Sequence, residues 1–195
     1  MRLPPLLVLT DRTQCSGSLV DTIAAAVDSG ARAIVLREKD LPDDDRDRLA
    51  EQLRPLLAPV DGVLIRAGAT GSAGAEAVHL AAADSLPRPR PALVGRSCHC
   101  RHELRRAHRE GCDYVMISPV FPTDSKPGYG PALGPAGLAS LITGAPPAYA
   151  LGGIRPADVP DCLAAGAHGI AVMGPIMRSP TTVSAYLAAL QDAAA

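Results

Sequence analysis

Polar residues that could bind a phosphate group follow an apolar run in the second half of the chain. Residues 118–130 supply the hydroxyls of Thr123 and Ser125, the cation of Lys126 and two glycines, directly after the strand-like run Tyr114–Ile117. Hydroxyls, a lysine and exposed backbone amides beyond the carboxyl end of a strand are what a phosphate or diphosphate needs. An ordinary proline–glycine loop has a similar composition. Comparable signals at other strand ends favour the phosphate interpretation.

Two further signals of this kind lie near the end of the chain. Gly152 and Gly153 follow one apolar run, and Gly174 follows the last one. These are positions at which barrels of alternating strands and helices hold phosphate through backbone N–H groups. Glycines also end strands for structural reasons alone. We favour phosphate binding because both positions fit with the helix start at Pro156.

Strand and helix patterns alternate from one end of the chain to the other. Eight short apolar runs are interpreted as strands, at residues 6–10, 33–36, 62–65, 77–80, 92–95, 114–117, 148–151 and 169–173. This alternation predicts parallel pairing with right-handed crossovers, and eight units suit a closed barrel. The expected fold class is α/β, a single minimal (β/α)8 TIM barrel over residues 1–195. A doubly wound open sheet is the alternative, weakened because no G-x-G-x-x-G follows the first strand.

Composition excludes several other classes of protein. The chain has 195 residues and a net charge of −1, so no electrostatic footprint for nucleic acid is visible. No apolar run reaches the ~18 residues expected of a membrane span, and the start of the chain lacks a signal-peptide pattern. A cytoplasmic location is therefore expected. Five scattered cysteines argue against a disulfide framework, and no pairing of Cys and His has the spacing of a zinc site.

The motifs at these strand ends resemble the thiamine phosphate synthase superfamily, which also contains the TenI-type thiazole tautomerases. The resemblance covers nearly the whole chain in consistent order. It is carried mainly by LREKD (36–40), VHL (78–80) with Asp84, VGRS (94–97) with His99, PVFPT (119–123), SKPG (125–128) and ALGGI (150–154). It implies a TIM barrel that binds the thiazole phosphate of vitamin B1 biosynthesis.

The resemblance also implies roles for single residues. Contacts to a diphosphate or substrate would fall to Arg37, Lys39, Ser97, Thr123, Ser125 and Lys126. The thiazole phosphate would be cradled by Gly152, Gly153 and Gly174. Asp84 matches one magnesium carboxylate, so Mg2+ is expected only if the chain is a synthase, and otherwise no cofactor. The expected partner is a small-molecule phosphate, with a homodimer left open and no nucleic acid or membrane.

Departures from the synthase pattern favour a tautomerase-like paralogue. Val35 stands where the synthases have glutamine, and residues 65–68 replace their Asn-Asp-Arg, which removes an amide and a carboxylate and introduces Arg66. Mg2+ prefers carboxylates with substrate phosphates. One carboxylate beside an arginine would bind the ion poorly. The histidine typical of the tautomerases is also missing, because that position is Pro119.

The proton-transfer group of a tautomerase must then come from elsewhere. His99, just beyond Ser97, and Lys126 are the candidate catalytic residues. His79 alternates with apolar neighbours and is expected to face the helices instead. Two alternatives stay open: a synthase that joins hydroxymethylpyrimidine diphosphate to thiazole phosphate, and a non-catalytic binder of thiazole or thiamine phosphate.

Overall fold

The computed structural model describes residues 3–69, 75–123 and 131–193. Eight parallel strands pair in chain order and close into a barrel, in which Leu6 of the first strand lies beside Ile170 of the last. The strands are β1 (Leu6–Leu9), β2 (Ala33–Leu36), β3 (Val63–Ala67), β4 (Ala77–Leu80), β5 (Leu93–Cys98), β6 (Tyr114–Ile117), β7 (Ala148–Leu151) and β8 (Gly169–Val172). The prediction of a closed α/β barrel is confirmed, and the open-sheet alternative is wrong.

Seven α-helices surround the barrel within the described part of the chain. They are α1 (Leu19–Asp28), α2 (Asp43–Leu57), α3 (Arg101–Arg109), α4 (Gly134–Ile142), α5 (Val159–Ala164), α6 (Gly174–Arg178) and α7 (Val183–Asp192). Residues 81–92, between β4 and β5, contain no helix. The crossover between β4 and β5 is therefore a plain loop, and its residues are held by side chains instead. No helix among the described residues is long and apolar enough to cross a membrane.

Local sequence explains where the helices start and stop. The Ser18 hydroxyl accepts the backbone N–H of Asp21 at 3.0 Å, which caps α1, and Gly30 follows the helix with a φ of +108°. The first turn of α2 carries three aspartates, whose charges are favourable at the positive end of the helix dipole. Two of these aspartates, Asp43 and Asp45, form ion pairs with nearby arginines, and no metal-binding cluster occurs among the described residues.

Side-chain alternation divides the strands into two layers. Val8 and Ile34 belong to the core between barrel and helices, whereas Leu7 and Val35 belong to the core inside the barrel. Both faces are buried, which is why these strands are almost continuously apolar. The sequence pattern of such a strand does not reveal which residues face inward.

Aromatic rings form a column through the barrel interior. The Tyr114 ring lies over Gly95, where an added Cβ would stand 2.0 Å from Tyr114 Cζ. Its ring centroid is 5.5 Å from that of His79 and 5.6 Å from that of Tyr149, which meets it edge-on. The Tyr149 hydroxyl donates to the Pro4 carbonyl at 2.9 Å, at the amino-terminal end of the barrel. We call these three rings the ring column.

Candidate functional site

A cavity of about 740 Å³ opens at the carboxyl ends of the strands, and all eight strands or the loops after them contribute to its wall. This is the face at which TIM barrels carry out chemistry. Every described residue that the sequence suggested for the site lines it, namely Arg37, Lys39, Asp84, Ser97, His99, Thr123, Gly152, Gly153 and Gly174. The remaining two, Ser125 and Lys126, lie outside the described residues.

Successive side chains in residues 37–40, after β2, point in alternate directions, so two cations and two carboxylates lie on opposite sides of the backbone. Arg37 and Lys39 line the cavity. Glu38 and Asp40 hold Arg12 instead, with the Arg12 Nη1 group 3.1 Å from Glu38 Oε2 and the Nη2 group 2.6 Å from Asp40 Oδ2. The hydrogen bond from Arg12 lowers the pKa of the Asp40 carboxyl. Both carboxylates are thereby held by Arg12 and directed away from the cavity lining.

The loop after β4 presents Asp84 to the cavity. The Asp84 Oδ2 atom accepts the backbone N–H of Ala81 at 2.8 Å, which fixes the carboxylate. The Arg96 side chain is fully buried, and its Nη1 group donates to the carbonyls of Ala81 at 2.9 Å, Ala82 at 3.2 Å and Asp84 at 2.8 Å. The Arg96 guanidinium therefore satisfies loop carbonyls that hydrogen bonds within a helix would otherwise satisfy.

A second arginine, from α3, completes this support. Arg106 donates from Nη2 to the Asp84 carbonyl at 2.7 Å and from Nε to Glu110 Oε1 at 2.7 Å. Glu110 also pairs with Arg96. Burial alone would raise the pKa of Glu110, but hydrogen bonds and charge from Arg106 and Arg96 bring it below its ordinary value. We call Arg96, Arg106 and Glu110 the loop clamp.

His79 faces the cavity, so the expectation that it faces the helices is wrong. It pairs in register with Gly95 of β5. It lies two residues after Ala77, which faces the barrel interior, so His79 is on the same inward face of β4. Its Nδ1 atom is 3.1 Å from Tyr114 Oη and its Nε2 atom is 2.9 Å from Ser97 Oγ. Burial, together with the charges of Lys39 and Arg96, lowers the pKa of His79 to about 3. The ring is therefore neutral at physiological pH.

His99 sits at the rim of the same cavity. Its Nδ1 atom is 2.7 Å from the Ser118 carbonyl oxygen, and a carbonyl can only accept, so Nδ1 carries a proton. Its backbone N–H donates to Glu103 Oε2 at 2.5 Å, within the first turn of α3. These contacts fix both the ring and the start of the helix.

The glycine turn after β7 is tightly packed against the loop after β6. Gly152 and Gly153 have φ angles of +102° and +64°, which glycine adopts without strain. A Cβ on Gly153 would stand 2.1 Å from the Pro122 carbonyl oxygen, and one on Gly152 would stand 3.0 Å from Pro119 Cα. The turn needs glycine because the adjacent backbone occupies the space of a side chain.

The end of β3 differs from what the sequence suggested. Arg66 is buried on the helix side, where it pairs with Asp47 and, at 3.3 Å, with Asp43. The expectation that Arg66 brings a cation into the site is therefore wrong, because its side chain lies on the outer face of β3, against α2. Ala67 lines the cavity, and Arg46 of α2 donates to the Ala67 carbonyl at 3.0 Å.

Besides His79, four polar residues of the cavity lining were not expected from the sequence: Gln14, Arg46, Arg155 and Arg178. The Arg178 Nη1 group donates to Gln14 Oε1 at 2.5 Å, and the Arg155 guanidinium is paired with Asp158. Arg46 comes from the second turn of α2 and Arg178 from the short helix α6. None of the four belongs to a motif that the resemblance carries, and closure of the barrel brings them to the rim of the cavity.

Comparisons with known proteins agree with this fold and indicate a family. The family model described as thiamine monophosphate synthase matches residues 6–176. A thiamine-phosphate synthase of Methanoculleus marisnigri is 37% identical over 184 residues, covering 88% of this chain and 87% of its relative. A thiamine-phosphate synthase of Methanospirillum hungatei is 33% identical over 192 residues, covering 92% and 93%.

Among solved structures, the thiamine phosphate pyrophosphorylase of Pyrococcus furiosus superposes with a TM-score of 0.84. It is 25% identical in sequence, and the match covers 97% of this chain and 96% of that one. The chain belongs to the thiamine monophosphate synthase family of enzymes.

Proposed function

We propose that this protein is a thiamine phosphate synthase, which joins an aminopyrimidine carried as its diphosphate to thiazole phosphate and releases pyrophosphate. One observation carries the proposal: a single cavity holds the cations and hydroxyls suited to a diphosphate together with the glycine turn suited to a phosphate. Its volume of about 740 Å³ suits two small substrates at once. The relatives named above support this alternative over the tautomerase that the sequence departures favoured.

The chemistry is a displacement at the pyrimidine methylene carbon. The bond from this carbon to the diphosphate oxygen breaks, pyrophosphate leaves with the electron pair, and the thiazole nitrogen forms the new bond. Negative charge therefore grows on the leaving group. Arg37 and Lys39 would stabilise that charge, and the hydroxyls of Ser97 and Thr123 would donate to it.

The residues present fit a magnesium ion that the diphosphate itself largely holds. Asp84 is the one carboxylate that lines the described part of the cavity, and its Oδ2 atom is oriented by the Ala81 N–H. Mg2+ binds through one or two carboxylates plus substrate phosphates and water. Arg66 does not oppose such an ion, because it faces α2. When bound, Mg2+ would supply additional charge neutralisation of the diphosphate.

A tautomerase is the second candidate, favoured by the end of β3. Ala67 and the Arg46 guanidinium occupy the region in which the synthase pattern places a carboxylate. His99, with its proton on Nδ1, would be the group that moves a proton on a thiazole carboxylate phosphate. This reaction requires neither a diphosphate nor Mg2+.

The reaction itself tests the proposal. Protein incubated with hydroxymethylpyrimidine diphosphate, thiazole phosphate and Mg2+ should form thiamine phosphate and pyrophosphate in equal amounts. Asp84→Asn should lower the rate by about 10²-fold, because it removes the carboxylate that would hold the Mg2+ beside the leaving group. Asp28→Asn, at the exposed end of α1, should not. Isomerisation of the thiazole carboxylate phosphate without any thiamine phosphate would instead identify a tautomerase, and binding without turnover a carrier.

A further inference from the structure

We infer that Tyr114 and His79 are positioning residues that commit the Ser97 hydroxyl to donate its hydrogen into the cavity. Ser97 then serves as a hydrogen-bond donor to an anionic oxygen of the substrate. The identity of that anion as a phosphate or diphosphate rests on the proposed function. The order of the hydrogen bonds is a property of the free protein.

The three residues form one continuous chain across neighbouring strands. Tyr114 Oη lies 3.1 Å from His79 Nδ1, and His79 Nε2 lies 2.9 Å from Ser97 Oγ. His79 of β4 pairs with Gly95 of β5, and Gly95 pairs with Tyr114 of β6, so His79 and Tyr114 lie at the same level of the barrel. Ser97 lies two residues beyond Gly95 along β5, nearer the mouth of the cavity. Gly95 provides the space in which the tyrosine ring lies.

Two orders of hydrogen bonding could connect these atoms. Either Tyr114 donates to His79 and His79 to Ser97, or the direction is reversed throughout. In the reversed order, Tyr114 Oη accepts from the ring and needs another acceptor for its own hydrogen. Among the described residues, His79 provides the one hydrogen-bond partner of this buried hydroxyl. A buried donor without an acceptor is costly, so Tyr114 is the donor.

The remaining protons follow from that assignment. His79 Nδ1 accepts from Tyr114, so the single proton of the neutral ring lies on Nε2 and is donated to Ser97 Oγ. The Ser97 hydrogen cannot point back at a donor. It therefore points into the cavity that Ser97 lines. Burial keeps the pKa of His79 at about 3, with Lys39 and Arg96 contributing, so this order persists from mildly acidic to alkaline pH.

The tautomer can be measured without substrate. Protein labelled with 15N-histidine should show His79 protonated on Nε2 and not on Nδ1, with shifts unchanged between about pH 5 and pH 8. Comparison with the spectrum of His79→Gln assigns the signals. A proton on Nδ1, or a titration in this range, would overturn the inference.

Binding of inorganic pyrophosphate tests whether Tyr114 acts through Ser97. Tyr114→Phe keeps the ring and should weaken binding about tenfold, the effect of one hydrogen bond. Ser97→Ala should do the same, and the double variant should bind no more weakly than Ser97→Ala. Tyr149→Phe loses its bond to Pro4 at the far end of the ring column and should bind pyrophosphate as the parent does.

Conservative replacement of His79 gives the matched comparison. Glutamine offers one donor and one acceptor, so His79→Gln should retain most of the pyrophosphate affinity, whereas His79→Leu should lose as much as Ser97→Ala. If the losses of pyrophosphate affinity in Tyr114→Phe and Ser97→Ala add up in the double variant, Tyr114 acts through packing alone and the positioning role is refuted. If the parent protein fails to bind pyrophosphate, the proposed function fails, and the NMR tautomer still decides the hydrogen-bond order.

Discussion

The buried imidazole of His79 makes the stability of the protein depend on pH. Burial, then the charges of Lys39 and Arg96, lower the pKa of His79 from 6.5 to about 3. Between these values the unfolded chain binds a proton that the folded chain excludes. Stability therefore falls as the pH falls from 6.5 towards 3, by about 1.36 kcal/mol per pH unit for this one group.

The prediction compares the pH dependence of the free energy of unfolding in the parent and in His79→Gln. On going from about pH 7 to pH 5, the free energy of unfolding of the parent should fall by about 2 kcal/mol more than that of His79→Gln, because glutamine does not titrate. Urea unfolding at both pH values measures this. His108→Gln, on the polar helix α3, should behave as the parent does. Equal losses in parent and His79→Gln would show that the ring is not held neutral.

Single residues of the site could be predicted only where a motif carried them. The resemblance carried by LREKD (36–40) placed Arg37 and Lys39 in the site, and both line the cavity. Alternation along β4 could not orient His79, because both faces of β4 are buried and apolar. Choosing the inward face needs the pairing with Gly95 and the Tyr114 ring, which are contacts between strands.

At the level of elements, the loop after β4 depends on the loop clamp. Arg96 is fully buried and donates to three loop carbonyls and to Glu110. Arg96→Met should therefore lower the free energy of unfolding by about 3 kcal/mol or more, because four hydrogen bonds and a buried charge pair are lost.

An exposed ion pair provides the control for this variant. Arg48 pairs with Asp45 at the surface of α2, with 70% of its side chain exposed. Such pairs contribute about 0–1 kcal/mol, so Arg48→Met should be nearly neutral. Urea unfolding of both variants compares them. If Arg96→Met lowers the free energy of unfolding as little as Arg48→Met does, the loop after β4 does not depend on the loop clamp.

The turn after β7 should be equally intolerant of a side chain. Gly153→Ala places a methyl group 2.1 Å from the Pro122 carbonyl in a left-handed backbone conformation, so the turn and the loop after β6 must separate. We expect the affinity for thiazole phosphate to fall about tenfold or more, since both segments line the cavity, while the barrel stays folded.

Calorimetry with thiazole phosphate and circular dichroism measure the two effects of Gly153→Ala. Gly17→Ala is the matched control, because a methyl group at Gly17 meets no atom within 4 Å. Unchanged affinity in Gly153→Ala would place the phosphate elsewhere in the cavity.

Most elements could be predicted because their signals are local. Each strand is an apolar run, and α1 and α2 carry capping and acidic first turns. The helix α6 was missed because five residues starting with Gly174 and Pro175 form no periodic apolar stripe. The support of the loop at residues 81–92 could not be predicted, because the loop clamp that holds it comes from β5 and α3.

At the scale of the whole molecule, the cavity lining differs in charge balance from the chain as a whole. The net charge of the chain is −1. The described wall of the cavity nevertheless carries one carboxylate, Asp84, against five cations: Arg37, Lys39, Arg46, Arg155 and Arg178. A concave wall with this balance attracts anions although the molecule as a whole does not.

The affinity for a charged ligand should therefore depend on the salt concentration. Thiazole phosphate should bind roughly 3–10-fold more weakly when KCl is raised from low concentration to about 0.5 M, since the screening length then falls well below 10 Å. The dephosphorylated thiazole, which carries no phosphate charge, should bind with little salt dependence. Calorimetric titrations at several KCl concentrations make the comparison. Equal salt dependence for both ligands would argue against an electrostatic role for the wall.

The ring column also makes the protein its own optical reporter. The chain has four tyrosines, one phenylalanine and no tryptophan, so its near-ultraviolet absorbance and emission come almost entirely from tyrosine. Tyr114 and Tyr149, with ring centroids 5.6 Å apart, are close enough to exchange excitation energy. Tyr114 is one imidazole away from Ser97 in the wall of the cavity. Occupancy of the cavity therefore changes the surroundings of a native chromophore, and ligands can be followed by light without attaching a dye.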